Sequence, residues 1–186
     1  HPMMTAAMDL VLSTETGNAS VCTVRHPELK GGQFLLEMLF IVECSAPENL
    51  QVNRFLPHTP IRILINQFKE DVSAEISHES LTETGDNINH DQISSFLAKQ
   101  RQHIVEMLAI AEQNATKTMN GLITESNKAM LASLTGEIKR LVRLKKINPS
   151  IKEEEIEQLK HDTILLHENI NAARLRLDAV RFLVTR

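Results

Sequence analysis

Near residue 91 the apolar residues of this chain change period, and that change constrains the fold more than any other feature. Before it, apolar and polar residues alternate, as in half-buried strands. Val21 and Thr23 fall opposite Cys22 and Val24, and Ile61, Ile63 and Ile65 fall opposite Arg62 and Leu64. After it, apolar residues recur every three or four positions: Ile104, Leu108, Ala111, Ala115, Met119 and Leu122, then Met130, Leu134, Ile138 and Leu141. A period of two followed by a period near 3.6 predicts an α+β chain, with strands first and helices second.

Phe34 to Ser45 is a near-continuous β-prone run, as in a central strand covered on both faces. With strands at 19–25, 61–67 and 72–78, and a third β-like piece near Leu50 to Val52, it predicts an antiparallel sheet of three to five strands. Met4, Met8 and Val11 give residues 2–13 one helical face, so a short helix precedes the sheet. Asn148-Pro149 ends the first long helix. Ser150 and Glu153 have the spacing of a capping box, so one is expected at the start of the next. Ile156, Leu159, Leu166, Ile170, Leu177 and Val184 then lie on a seam that runs to the end of the chain. The expected organisation is a mainly β part over 1–90 and a long antiparallel helical hairpin over 91–186. Gly121 and Gly136 each cost about 1 kcal/mol relative to Ala, so a kink near either is expected.

Charge follows the same division. The chain carries a formal net charge of −4, the first hundred residues being acidic and the rest mildly basic. With no Trp, no Tyr and six Phe, it offers few rings on which bases stack. Nucleic acid is therefore expected to bind weakly if at all. The two cysteines, Cys22 and Cys44, read as free thiols in a reducing compartment. No run is long and uncharged enough to span a bilayer, and no secretory pattern opens the chain. A cytoplasmic protein without membrane contact is expected. His1-Pro2-Met3-Met4 running straight into a structured pattern reads as a piece excised from a longer chain.

No phosphate loop, G-x-G-x-x-G, C-x-x-C, H-E-x-x-H or G-x-S-x-G is present. His161 and His167 fall nearly opposite on a helix, unsuited to sharing a metal. Glu37 and Glu43 share a strand face about 20 Å apart, so each reads as solvated or locally paired. No catalytic, cofactor-binding or metal-binding residue is expected. Two sets suit partner contact. Asn53, Arg54, Phe55 and Arg62 lie on or beside a loop braced by Pro57 and Pro60, and an Arg with an aromatic on a rigid loop suits a binding hot spot. Lys139, Arg143 and Lys146 share one helix face. The plainer readings are a crossover that tucks Phe55 into the core, and helix-end charges answered by Glu153, Glu154, Glu155 and Glu157 after the turn.

Three segments together carry a resemblance: LQVNRFLPHTPIRIL at 50–64, INPSIKEEEIEQL at 147–159, and the end Arg174-Leu-Arg-Leu-Asp-Ala-Val-Arg-Phe-Leu-Val-Thr185. With MDLVLSTETGNAS at 8–20, they resemble the C-terminal region of the RapA (HepA) family of bacterial RNA polymerase-associated, Swi/Snf-type helicase-like ATPases. The resemblance implies a transcription factor that binds core RNA polymerase and promotes its recycling. Its ATP and Mg²⁺ would be held by helicase lobes outside this chain, so no catalytic residue carries over. The chain itself would be a non-catalytic accessory domain whose partners are core polymerase and those lobes. A purely structural brace, or self-association through the helical seam, are the alternatives.

Overall fold

A computed structural model describes residues 19–84, 86–87 and 96–186. The expected helix at 2–13 lies outside the described residues. The strands are β1 (Ala19–Val24), β2 (Phe34–Glu43), β3 (Thr59–Asn66), β4 (Asp86–Asn87) and β5 (Arg174–Thr185). The helices are α1 (His78–Glu83), α2 (Arg101–Lys145) and α3 (Glu153–Asn171). The five strands form one sheet in the order β3-β2-β5-β1-β4. The α+β class and the strand count are as expected.

The last strand corrects the seam. The helix over the end of the chain stops at Asn171, and Arg174–Thr185 is β5. Residues 173–184 satisfy both periods: Leu177, Val180 and Val184 step as in a helix, while Arg174-Leu175-Arg176-Leu177 alternates as in a strand. Pairing decides between them. β1 offers a complete parallel edge, with Ala19 opposite Val180 and Val24 opposite Thr185. The sheet is therefore mixed and not wholly antiparallel, because a parallel pair needs only a long crossover, and some 150 residues separate these strands. β2 runs antiparallel to β5: Gln33 meets Thr185, whose N–H donates to the Gln33 carbonyl at 2.8 Å, and further along Glu37 meets Arg181.

Two further strand expectations give way to turns. At 71–77, Asp71 makes a single bridge to Ile65. Its carboxylate then accepts from the Ser73 N–H and hydroxyl, and the Val72 carbonyl takes the N–H groups of Glu75 and Ile76. Val72 and Ile76 are buried by a turn, not by strand alternation. Leu50 and Val52 sit in two single 3-10 turns, Glu48–Leu50 and Val52–Arg54, joined by Gln51 at φ 48°.

α2 runs unbroken past both glycines. A Cβ at Gly121 or Gly136 would meet nothing within 4 Å, and one residue's propensity is small against a 45-residue helix. The expected capping box does not form. Asn148 Oδ1 takes the Ser150 N–H, and α3 starts from Lys152 with no side-chain cap. Glu153, Glu154 and Glu155 nevertheless fill its first turn, where the helix dipole favours them.

The chain divides into two compact units that do not follow a single cut. One takes in the described chain up to Ile41, with Pro60–Lys117 and Arg176–Arg186. The other takes in Val42–Thr59 and Thr118–Leu175. In the first, Cys22, Val24, Leu35, Leu64, Val72, Ile76, Leu81 and Leu183 form one core between the sheet and α1. Rings gather elsewhere in that unit. Phe34 stacks on Phe182 at 5.5 Å, with Phe96 and His103 edge-on to Phe34 at 5.9 and 5.5 Å. In the second, α3 lies antiparallel to α2, Lys145 pairing with Glu153 and Asn127 bonding Asn171. Ile156, Leu166 and Ile170 of the seam are buried there, so it is covered by its own chain.

Candidate functional site

In the first unit, one row of residues crosses four strands on a single sheet face. Arg62 of β3, Glu37 of β2, Arg181 of β5 and Ser20 of β1 follow one another, Ser20 standing opposite Arg181 in register. The Glu37 side chain is only 6% exposed. A buried carboxylate of this kind needs its charge answered, and here three groups answer it. Arg62 Nε donates to Oε1 at 2.5 Å, Arg181 Nε donates to Oε2 at 2.7 Å, and His78 Nδ1 lies 3.0 Å from Oε1. Burial by itself would raise the pKa of Glu37. The hydrogen bonds from His78 and Arg62, with the charges of Arg181 and Arg62, outweigh it and hold the carboxyl below the ordinary range.

The row is tied to the segment that follows β3. Arg62 Nη1 donates to the carbonyls of Ile76 and Ser73 at 2.7 and 3.2 Å. Arg181 Nη1 reaches Thr82 Oγ1 at 3.3 Å. His78 opens α1, and Ser77 caps it by accepting the Ser80 N–H. The network thus fastens α1 to the sheet. Beside it opens a cavity of about 540 Å³, floored by the row and walled by Leu39, Pro60, Ala179 and Val180.

The residues expected to meet a partner are distributed as follows. Arg62 belongs to this buried network. Asn53, Arg54 and Phe55 belong to the other unit, where Leu50, Val52 and Leu56 anchor their loop. Arg54 lies over the Phe55 ring, 5.0 Å from its centroid, and its Nη2 bonds Ser133 and Glu137 of α2, each at 3.1 Å. Lys139 and Arg143 are exposed on α2, and Lys146 is exposed in the turn just past its end. Lys145, beside them, is the residue that pairs with Glu153.

Glu37 corrects its reading as a solvated or locally paired residue: it is buried, and its partners lie 25, 41 and 144 residues away. The one trace in the sequence is a lone acid inside the apolar run 34–42. Among the described residues, no group of three or more His, Cys, Asp or Glu is placed to hold a metal. No described helix is long and apolar enough to cross a membrane.

A mixed sheet closed by the C-terminal strand, an antiparallel helical pair and a buried ion network define an α+β protein. The sequence matches the family described as RNA polymerase recycling family C-terminal over residues 1–185, and the chain belongs to that family. It is 34% identical over 184 residues to the RNA polymerase-associated protein RapA of Yersinia pestis (strain Pestoides F), and equally to that of Yersinia pseudotuberculosis serotype O:1b (strain IP 31758). In each case the match covers 99% of this chain and 19% of the relative, so the chain spans about a fifth of the relatives' length.

Proposed function

We propose that this chain is a non-catalytic accessory domain of a longer, ATP-driven cytoplasmic factor, and that it supports contact with core RNA polymerase. The observation that carries the reading is one exposed face of α2. Lys128, Lys139 and Arg143 follow spacings that keep them on one side of the helix, over about 22 Å, and Lys146 follows in the turn directly after it. Leu131, Val142 and Ile147 stand exposed at 43%, 41% and 82% along the same stretch. The only acid between residues 126 and 147 is Glu137, and Arg54 holds it. Cations interleaved with exposed apolar residues suit an acidic protein surface. A nucleic acid would be met through charge alone, and the exposed apolar groups would add nothing to that.

The name borne by the relatives, RNA polymerase-associated protein, supports core polymerase as that surface. ATP and Mg²⁺ would act in the remainder of such a factor. The test is retention of core polymerase by the immobilised chain, compared with Lys139→Glu/Arg143→Glu/Lys146→Glu. The intact chain should retain polymerase, and the triple variant should lose at least about tenfold in affinity, with the difference shrinking at high salt. Equal retention by the variant overturns the assignment of this face. No retention by either leaves the second reading, a structural brace for the helicase lobes, which the fastened α1 and covered seam also suit.

A further inference from the structure

The cavity beside Glu37 shares no residue with the α2 face and is not needed by the reading above. It has the size of an ordinary ligand pocket, and its floor has more donors than acceptors. The two Glu37 oxygens are already taken by Arg62, Arg181 and His78. Two guanidinium charges therefore face one carboxylate. Arg62 Nη2 is buried and meets no acceptor among the described residues. The other acid at the cavity, Asp178, is answered by Arg176 at 2.7 Å. A buried guanidinium donor without an acceptor is costly, and a second carboxylate is the group that would relieve it. The walls set the rest of the ligand. Leu39, Pro60, Ala179 and Val180 present apolar surface, so a free inorganic anion would leave most of the cavity unfilled.

We infer that this cavity binds an acidic side chain of a protein segment, a Glu or Asp flanked by apolar residues, with its carboxylate against Arg62 and Arg181. Binding needs a small adjustment of Arg62, whose free Nη2 now lies out of reach of water.

The test follows the Nε–H NMR signals of Arg62 and Arg181 in the chain. The probes are N-acetyl-Leu-Glu-Leu amide, N-acetyl-Leu-Gln-Leu amide and inorganic phosphate. Saturable shifts with the Glu peptide, at least about tenfold tighter than with the Gln peptide, support the site, since a charged hydrogen bond discriminates on that order. Ala179→Phe, which narrows the cavity from a position that takes part in none of the network's bonds, should abolish the shifts while thermal unfolding stays cooperative. Equal binding of the Gln peptide, equal binding of phosphate, persistence of the shifts in Ala179→Phe, or no shift at 10 mM peptide on the order of the weakest specific affinities would each overturn the inference.

Discussion

Glu37 on β2 and Arg181 on β5 close an ion pair at 2.6 Å across two neighbouring strands, although 144 residues separate them. With Arg62 on the other side, the carboxylate joins three adjacent strands, β3, β2 and β5, to α1 through side chains alone. A buried carboxylate stabilises only while all its partners are present.

Glu37→Gln should therefore be strongly destabilising. The substitution leaves two guanidinium groups facing a neutral amide in a buried setting, a change that costs about 3–5 kcal/mol in comparable pairs. Urea denaturation followed by circular dichroism measures it. A loss below about 1 kcal/mol, the usual size for an exposed pair, would show that the network is solvated.

The same group predicts an acid limb in stability. The folded pKa of Glu37 lies below its unfolded value. The pair's contribution is therefore complete above the unfolded value, near pH 4.3, and is lost as the pH falls through the folded value. Stability measured between about pH 6 and 3 should fall more steeply in the native chain than in Glu37→Gln. Parallel curves would count against the assignment.

Gly136→Ala should stabilise the chain by up to about 1 kcal/mol. The residue is exposed within α2, and an added Cβ meets nothing within 4 Å. Thermal unfolding should shift upward; a downward shift would mean that something packs against this position.

Phe182→Ala should cost about 3–5 kcal/mol. The ring is 1% exposed, stacks on Phe34 and meets Phe96 at 6.2 Å. Its loss opens a cavity among rings carried by elements that tertiary structure alone brings together. Double-mutant cycles with Phe34→Leu should show coupling, as residues in contact do; additive effects would contradict the stacking.

The cysteines should alkylate slowly in the native chain. Cys22 is 5% exposed, while burial raises the Cys44 pKa and its thiol donates to the Asn169 carbonyl at 3.1 Å. Iodoacetamide labelling should be much faster in urea than in buffer, and equal rates would refute the placement.

The change of period near residue 91 located the sheet and the long helix, because local burial patterns are written in local spacing. β1, β2, β3 and α2 could be read from residues 19–66 and 101–145 for that reason. The twelve residues of β5 could not, since Leu177, Val180 and Val184 suit a helix and the flanking alternation suits a strand. Only its two neighbours in the sheet, β2 and β1, each well over a hundred residues earlier, decide for the strand. The candidate site divides in the same way. Lys139 and Arg143 stand on one face of α2 by spacing alone and were legible together, whereas Lys146 falls in the turn past the helix end, which spacing did not show. Arg62 read as a partner contact beside the proline-braced loop, and its counter-charge, Glu37 on β2, was hidden.

By itself the sequence determined the class of fold, the absence of familiar catalytic motifs and, through three long segments, the family. Tertiary structure alone decided that the C-terminal segment joins the sheet, that Glu37 is buried, and that Arg62, His78 and Arg181 converge on it. Spacing specifies which face a residue takes, but a buried charge is tolerable only where distant strands deliver its counter-charges, and that is settled by strand order.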